Sequence, residues 1–220
     1  MGESKYYVSD ISASEVASKK KTLRPSQAKS ERVQLLRAEY WETVKNIDFK
    51  DLVFLDEMGV LLGLMRTHAR AAPGERAYDF KPFYRGGKVS VIGAITVSQV
   101  LGVMTLDGSM DSAAFEVYVS KCLVPQLWKG AVVVMDNLPA HKVKAIAPLI
   151  EAVGAKVLYL SPYSPEFNPI EHWWSQLKAF LKQFSPRTSK MVDPLIKIAI
   201  DLMNPKHLRN WFAHCCYCPL

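Results

Sequence analysis

The chain has 220 residues, of which 49% are apolar and 22% are charged. This balance excludes a wholly disordered, collagen-like or low-complexity chain, and the length suits one large domain or a domain with a small appendage. Lys and Arg number 28 against 21 Asp and Glu, so the formal net charge is +7. Such a basic excess is compatible with a polyanionic partner but does not by itself identify one.

Local sequence disfavours secreted and membrane classes. Only four cysteines occur, three of them in the last six residues, so a disulfide-stapled secreted domain is not expected. The first ten residues, MGESKYYVSD, lack the apolar core of a signal peptide. Segment 89–106 is uncharged, but its β-branched residues, two glycines and the interruption at Ser98-Gln99 favour two strands joined by a turn over a membrane helix.

The spacing of apolar residues predicts a mixed α/β fold. A basic polar segment containing Lys19-Lys20-Lys21 precedes the first periodic element. In chain order the predicted elements are a helix over 28–47, a strand over 52–55, two strands within 89–106, a helix over 112–128, a strand over 131–135, a helix over 142–153, a strand over 156–160, and helices over 169–184, 191–203 and 205–214. Strands that alternate with helices indicate a mixed sheet with helices on its faces.

Two carboxylates occupy equivalent positions at predicted strand ends. Asp56 directly follows the apolar run 52–55, and Asp136 directly follows the run 131–135. Because ligands of open α/β sheets bind beyond the carboxyl ends of strands, the two acids are predicted to face one site if their strands are neighbours. The alternative, in which each Asp only begins a turn or caps a helix, stays open at this point.

A third carboxylate, Glu171, stands at the start of the predicted helix 169–184. Asn168 suits the N-cap and Pro169 the first helical position, so Glu171 is either a capping-box residue or a site residue. In the second case it begins the polar stripe of the helix, which continues through Ser175, Lys178 and Lys182. Three carboxylates without a thiol or imidazole cluster suit Mg²⁺ or Mn²⁺, and paired ions of this kind promote phosphoryl transfer. A metal-dependent nuclease is therefore one hypothesis for the chain.

Three segments resemble the catalytic blocks of the mariner-like superfamily of DDE transposases, and most closely its bacterial insertion-sequence branch: VFLDE, VVVMDNLPAHK and LSPYSPEFNPIEHWWSQLK. The likeness extends from about Asp48 to Lys182. Between Asp136 and Glu171 lie 34 residues, a spacing typical of that branch. Three blocks in order, at that spacing and in matching strand and helix contexts, make the resemblance specific.

The resemblance implies a ribonuclease H-like α/β fold, a five-stranded mixed sheet flanked by helices. It implies Asp56, Asp136 and Glu171 as catalytic residues and as ligands of two Mg²⁺ or Mn²⁺ ions. The implied function is that of a DNA transposase catalytic domain, an endonuclease that hydrolyses phosphodiester bonds at transposon ends and transfers the freed 3′-OH into target DNA. The implied partners are double-stranded DNA and a second copy of the chain, in the bacterial cytoplasm and without a membrane.

Several further residues are candidates for contacting DNA or supporting the site. Asn137 and His141 match the Asp-Asn-x-x-x-His pattern of the second block, although His141 also suits a plain helix start. Asn168 is predicted to cap the helix of Glu171 and so to fix that side chain. Basic residues between the first strand and the hairpin are candidate phosphate contacts, or else part of a solvated loop: Arg66, Arg70, Arg76, Arg85 and Lys88.

The predicted domains are 1–47, a basic linker plus an amphipathic helix, and 48–220, the catalytic domain with a helical tail. The family carries helix-turn-helix units before its catalytic domain, so 1–47 is interpreted as a remnant of, or connection to, a missing recognition module. Two rival functions stay open: a non-catalytic DNA-binding or dimerising derivative, and another ribonuclease H-like endonuclease. A zinc site among the C-terminal Cys and His residues is disfavoured, because adjacent cysteines suit a tetrahedral site poorly.

Overall fold

A mixed sheet of five strands forms the centre of the molecule. The computed structural model describes residues 26–80, 87–137 and 145–219. The strands are β1 (Leu52–Leu61), β2 (Lys88–Ile95), β3 (Val100–Asp107), β4 (Val132–Met135) and β5 (Lys156–Tyr159). Their order is β3-β2-β1-β4-β5, with β1–β2 and β2–β3 antiparallel and β1–β4 and β4–β5 parallel. The predicted five-stranded mixed sheet is confirmed.

Helices cover both faces of this sheet. They are α1 (Glu31–Val44), α2 (Ser112–Tyr118), α3 (Ile146–Glu151), α4 (Ile170–Phe184), α5 (Ser189–Asp201) and α6 (Pro205–His214). One apolar core joins the sheet to α1, α4, α5 and α6, and its bulkiest buried side chains are Trp173 and Trp174. A second core joins the opposite face to α2 and α3. The helix that carries Glu171 therefore shares a face with α1.

The alternating side chains of β1 connect the two cores. Phe54 and Met58 belong to the core on the α4 side, and Val53 and Leu55 belong to the opposite core. Because successive side chains of a strand point to opposite faces, Asp56 points to the α4 side. β1 thus directs a carboxylate toward the helix that carries the third acid.

Two predicted elements differ from the structure. β1 does not end before Asp56, because its antiparallel pairing with β2 continues as far as Leu61 opposite Lys88. The carboxylate interrupts the apolar run but not the backbone pairing, so the sequence pattern ended the strand too early. The helix predicted over 112–128 is α2 followed by a π-helical turn and a 3-10 turn containing Pro125, since proline lacks the amide hydrogen that an α-helix needs.

The remaining predicted elements are present with shifted ends. The hairpin within 89–106 is formed by β2 and β3. α3 ends at Glu151, and Gly154 follows with φ of 78°, the left-handed conformation expected where a helix stops. Residues 142–144 of that predicted helix lie outside the described part of the chain. None of the helices in the described residues is both long and apolar enough to cross a membrane.

The segment predicted as a linker plus an amphipathic helix is described only from residue 26 onward. Its helix, α1, buries Val33, Tyr40 and Val44, and the last two belong to the core on the α4 side. α1 therefore packs on the same apolar core as the sheet and α4. The predicted domain boundary after residue 47 stays a prediction.

Candidate active site

Three carboxylates line one pocket, whose cavity volume is about 440 Å³. Asp56 comes from β1, Asp136 directly follows β4, and Glu171 lies in the first turn of α4. The last residues paired between the parallel strands β1 and β4 are Phe54 and Val134. Both aspartates stand two residues beyond that pair, so the sheet brings them to equivalent positions on neighbouring strands.

The carboxylate of Asp56 is held by two hydrogen bonds. The backbone N–H of Glu57 donates to its Oδ1 at 2.8 Å, and the side-chain Nδ2 of Asn168 donates to its Oδ2 at 3.1 Å. Asp56 and Asn168 are both buried, with 7% and 5% of their surface exposed. Hydrogen bonds to an ionised oxygen are stronger than neutral ones, so this pair fixes the orientation of the carboxylate.

The prediction that Asn168 caps the helix of Glu171 is wrong. No side chain caps the N-terminus of α4, and only the backbone carbonyl of Asn168 accepts a hydrogen bond from the N–H of Glu171, at 3.2 Å. The side chain turns to Asp56 instead. A capping box is a local pattern, whereas the Asp56 carboxylate is brought close only by folding and offers the amide a charged acceptor.

The pocket concentrates negative charge. Desolvation raises the pKa of Glu171, the positive charge of Lys178 offsets part of that rise, and the negative charge of Asp136 adds to it. Glu171 as a whole residue is exposed, and it lines the pocket. A cation bound between the carboxylates would favour the ionised form of Glu171.

The donor set fits a hard divalent cation. The three acids offer carboxylate oxygens, which Mg²⁺ and Mn²⁺ prefer, and Oδ1 of Asn168 is a buried amide oxygen with no hydrogen-bond partner. Within residues 26–80, 87–137 and 145–219, however, no three His, Cys, Asp or Glu side chains form a group that could hold one ion as they stand. That applies to the three acids and to the C-terminal Cys and His residues alike.

The predicted supporting residues are spread over the molecule. Asn137 lines the pocket, with its Nδ2 at 3.5 Å from the carbonyl oxygen of Leu160. Lys88 begins β2, is exposed, and lies 3.4 Å from the hydroxyl of Ser109. Exposed in the segment between β1 and β2 are Arg66, Arg70 and Arg76. Outside the described residues lie Arg85 and His141. Contact of these residues with DNA stays a prediction.

Two features at the pocket have no counterpart in the sequence predictions. Tyr163 lines it with 47% of its surface exposed and with φ of 54°, a region that non-glycine residues seldom adopt. The turn-forming Ser-Pro-Tyr-Ser-Pro motif was the available signal for that conformation. Arg37 donates to the hydroxyl of Ser164 at 2.9 Å across 127 positions. No local pattern indicates such a contact, because only tertiary folding makes it.

Comparison with protein families identifies the chain. The family described as DDE superfamily endonuclease matches residues 51–193, which include all three carboxylates of the pocket. Because this match covers more than half of the sequence, the chain belongs to the DDE superfamily endonucleases.

Two curated proteins are similar to parts of the chain. The Tcb1 transposable element transposase of Caenorhabditis briggsae is 29% identical over 101 residues, which cover 44% of this chain and 37% of that protein. The chaperone protein ClpB of Mycoplasmoides gallisepticum is 27% identical over 169 residues, which cover 72% of this chain and 23% of that protein. The chain therefore spans less than two-fifths of either relative.

Solved structures share the fold over most of the chain. A pre-cleavage Mos1 transpososome matches with a TM-score of 0.74 at 15% identity, over 91% of this chain and 64% of that chain. The catalytic domain of the Mos1 mariner transposase matches with a TM-score of 0.63 at 13% identity, over 88% and 91%. The predicted ribonuclease H-like fold and the resemblance to mariner-like DDE transposase catalytic domains are confirmed. The bacterial branch stays a prediction.

Proposed function

We propose that this chain is the catalytic domain of a DNA transposase that hydrolyses phosphodiester bonds at transposon ends and transfers the freed 3′-OH into target DNA. The observation that carries the proposal is the convergence of Asp56, Asp136 and Glu171 on one pocket. The DDE endonuclease family, the similarity to the Tcb1 transposase and the fold shared with Mos1 transposase complexes support it.

The three acids would hold two divalent ions, Mg²⁺ or Mn²⁺. Mos1 paired-end complexes with Mn and with Mg share this fold, which supports the assignment. Paired ions of this kind, when bound, provide an activated hydroxyl and stabilise the leaving oxygen of an in-line displacement. Two ions shared among three carboxylates do not require all three acids to bind one ion. The proposal is therefore compatible with the finding that no three such side chains in the described residues form a group that could hold a single ion.

The protein's own contribution is to orient these carboxylates. Asn168 and the N–H of Glu57 each donate one hydrogen bond to Asp56 and so orient the carboxylate that would bind a cation. α4 places Glu171 in its first turn, and the burial of Trp173 and Trp174 anchors that helix on the sheet. Oriented ligands of this kind are what a metal-dependent nuclease requires before substrate binds.

Double-stranded DNA is the proposed substrate. The net charge of +7 favours binding to a phosphate backbone, and the exposed residues Arg66, Arg70 and Lys88 are the proposed phosphate contacts, with Arg85 and His141 proposed from sequence alone. Two transposon ends need to be brought together, so a homodimer on DNA is also proposed.

The test uses the full chain, a supercoiled plasmid, and a labelled duplex that ends in a 3′-OH, each with Mg²⁺ or Mn²⁺. We expect nicked or linear plasmid and label covalently joined to it. Asp56→Asn and Asp136→Asn should abolish both products. The melting temperature of each metal-free variant should stay within a few degrees of that of the metal-free wild type. The matched control is Asp201→Asn, at the exposed end of α5, which should behave as the wild type.

The products separate the rival functions. Nicks without joined label would assign a ribonuclease H-like endonuclease of another kind. A well-folded wild type that binds DNA and yields no product with either metal would instead assign a non-catalytic derivative. Products that persist in Asp136→Asn would show that the pocket is not the active site.

A further inference from the structure

Arg37 of α1 binds the loop 161–169, which leads into α4, the helix that carries Glu171. Nη1 of Arg37 donates to Oγ of Ser164 at 2.9 Å, and Nη2 donates to Oε1 of Glu166 at 2.8 Å. The guanidinium carbon also lies 4.4 Å from the centre of the Phe167 ring. A planar guanidinium is suited to this use, because its edge donates two hydrogen bonds while its face stacks on an aromatic ring.

This contact is not a surface ion pair. The side chains of Arg37 and Glu166 are only 18% and 30% exposed. Exposed ion pairs contribute little because water screens them, whereas a partly buried pair with further hydrogen bonds costs more to break. The loop is therefore held by more than electrostatic attraction at the surface.

The same face of α1 adds two aromatic contacts with the loop. Tyr40 stacks on Phe167 with ring centres 5.8 Å apart, and Trp41 meets the same ring edge-on at 5.0 Å. Residues three and four positions apart share one face of a helix, so Arg37, Tyr40 and Trp41 form a single surface against the loop.

The loop 161–169 lines the pocket of the three carboxylates. Ser164 lines the pocket, accepts a hydrogen bond from the hydroxyl of Ser161 at 2.7 Å, and is itself buried. Phe167 is followed by Asn168, which holds Asp56, and the carbonyl of Asn168 accepts from the N–H of Glu171. A displacement of the loop would thus be transmitted to two of the three carboxylates.

We propose that Arg37 is a positioning residue for the active site, and that α1 belongs to the functional catalytic unit although it lies outside the segment 51–193 that the endonuclease family matches. Arg37 does not reach the reacting atoms; it keeps Asn168 and Glu171 in place around Asp56. The inference rests on the proposed function for its effect on catalysis, and on geometry alone for its effect on the loop.

The test compares three variants of the full chain. Arg37→Met keeps an unbranched apolar stem over Phe167 but removes every donor. Lys45→Met removes the exposed ion pair between Lys45, the residue that follows α1, and Glu42 of the helix, and is the matched control. Val33→Ala truncates a buried apolar side chain of α1, and it controls for a general loss of stability.

Two readouts are taken on each variant. The first is hydrogen exchange of the backbone amides of Phe167, Asn168, Glu171 and His172, each of which donates a hydrogen bond within the loop or at the start of α4. The second is Mn²⁺ affinity by electron paramagnetic resonance, followed by plasmid cleavage at saturating Mn²⁺. We expect Arg37→Met to speed exchange at these amides and to weaken Mn²⁺ binding by about 10-fold or more, the usual effect of losing a residue that orients metal ligands. Lys45→Met should retain wild-type values, and Val33→Ala should lower stability without a selective change in exchange at these amides or in Mn²⁺ affinity.

The outcomes distinguish the inference from the proposed function. Unchanged exchange in Arg37→Met, or equal changes in Val33→Ala, would overturn the positioning role even if the wild type is an active nuclease. A wild type that neither binds Mn²⁺ nor cleaves DNA would overturn the proposed function, while faster exchange confined to the loop in Arg37→Met would still support the positioning role. A fourth variant, Glu166→Gln, is made alone and together with Arg37→Met. Additive effects of the two substitutions would contradict the direct contact, since residues in contact are expected to be non-additive.

Discussion

Asn168 and Asp56 are joined by a buried hydrogen bond between residues 112 positions apart, with Nδ2 of the amide 3.1 Å from Oδ2 of the carboxylate. The bond connects the central strand of the sheet with the residues that precede α4. It replaces the helix cap that the local pattern around Asn168 predicts. Asn168 therefore orients a carboxylate of the first motif from within the third.

Asn168→Ala is expected to lower DNA cleavage by about 10- to 100-fold, because residues that orient metal ligands typically contribute that much. The variant should weaken Mn²⁺ binding as well, which calorimetric titration measures. Asn46→Ala is the matched control, since the Asn46 side chain is exposed and donates only to the carbonyl of Glu42. Cleavage by Asn168→Ala at the wild-type rate would show that Asp56 needs no such support.

Gly93→Ala is expected to destabilise the fold by about 1–3 kcal/mol, the usual cost of overpacking a core. Gly93 pairs with Asp56 across β1 and β2, and an added Cβ would lie 3.0 Å from Trp173 and 3.3 Å from Trp174. Those rings are the anchor of α4, so the helix that carries Glu171 would have to shift. Urea denaturation measures the loss.

The control for that variant is Gly87→Ala, where the nearest neighbour of the new Cβ among the described residues would be Leu62 at 3.6 Å, an ordinary contact distance. Its free energy of unfolding should change by less than about 0.5 kcal/mol, as for most surface substitutions. Equal effects of the two alanines would mean that the tryptophan pair yields without cost.

Tyr217→Phe is expected to destabilise the protein by about 1–3 kcal/mol, the cost of leaving a buried polar group without a partner. The Tyr217 hydroxyl donates to the carbonyl of Phe167 at 2.6 Å and lies 2.7 Å from the Tyr40 hydroxyl, so Tyr40 must be the donor to Tyr217. Burial raises the pKa of both tyrosines, so both hydroxyls keep their protons. Urea denaturation compares the variant with Tyr78→Phe, whose ring is 87% exposed and should be neutral.

Cys215 is expected to resist alkylation in the folded protein. Burial, and to a smaller extent the neighbouring Cys216 and Glu166, raise the pKa of its thiol to about 12. Only the thiolate reacts, so at pH 8 about one molecule in ten thousand is reactive, and the reaction should accelerate as pH rises toward 12. Iodoacetamide at pH 8 should label the exposed Cys216 first and Cys215 only after unfolding, as read from fragment spectra of the C-terminal peptide. Equal labelling rates would contradict the burial of Cys215.

Much of the candidate site could be predicted from sequence because its signals are local. The apolar run 131–135 ends at Asp136, and the stripe of α4 from Ile170 to Leu181 is buried as its periodicity indicates. Phe184 is the exception on that stripe, with 49% of its surface exposed at the helix end. Periodicity reports which face of an element is apolar, but it does not report where the neighbouring element stops covering that face.

The sequence by itself determined the order of strands and helices and the three carboxylate motifs, because apolar periodicity and motif spacing are properties of neighbouring residues. Only the tertiary structure decided that Asp56 lies inside a strand, that Asn168 bonds to it, and that Arg37 holds the loop before α4. Each of those features depends on pairing between segments far apart in the chain. Such contacts follow from how the sheet and helices pack together, which no local pattern specifies.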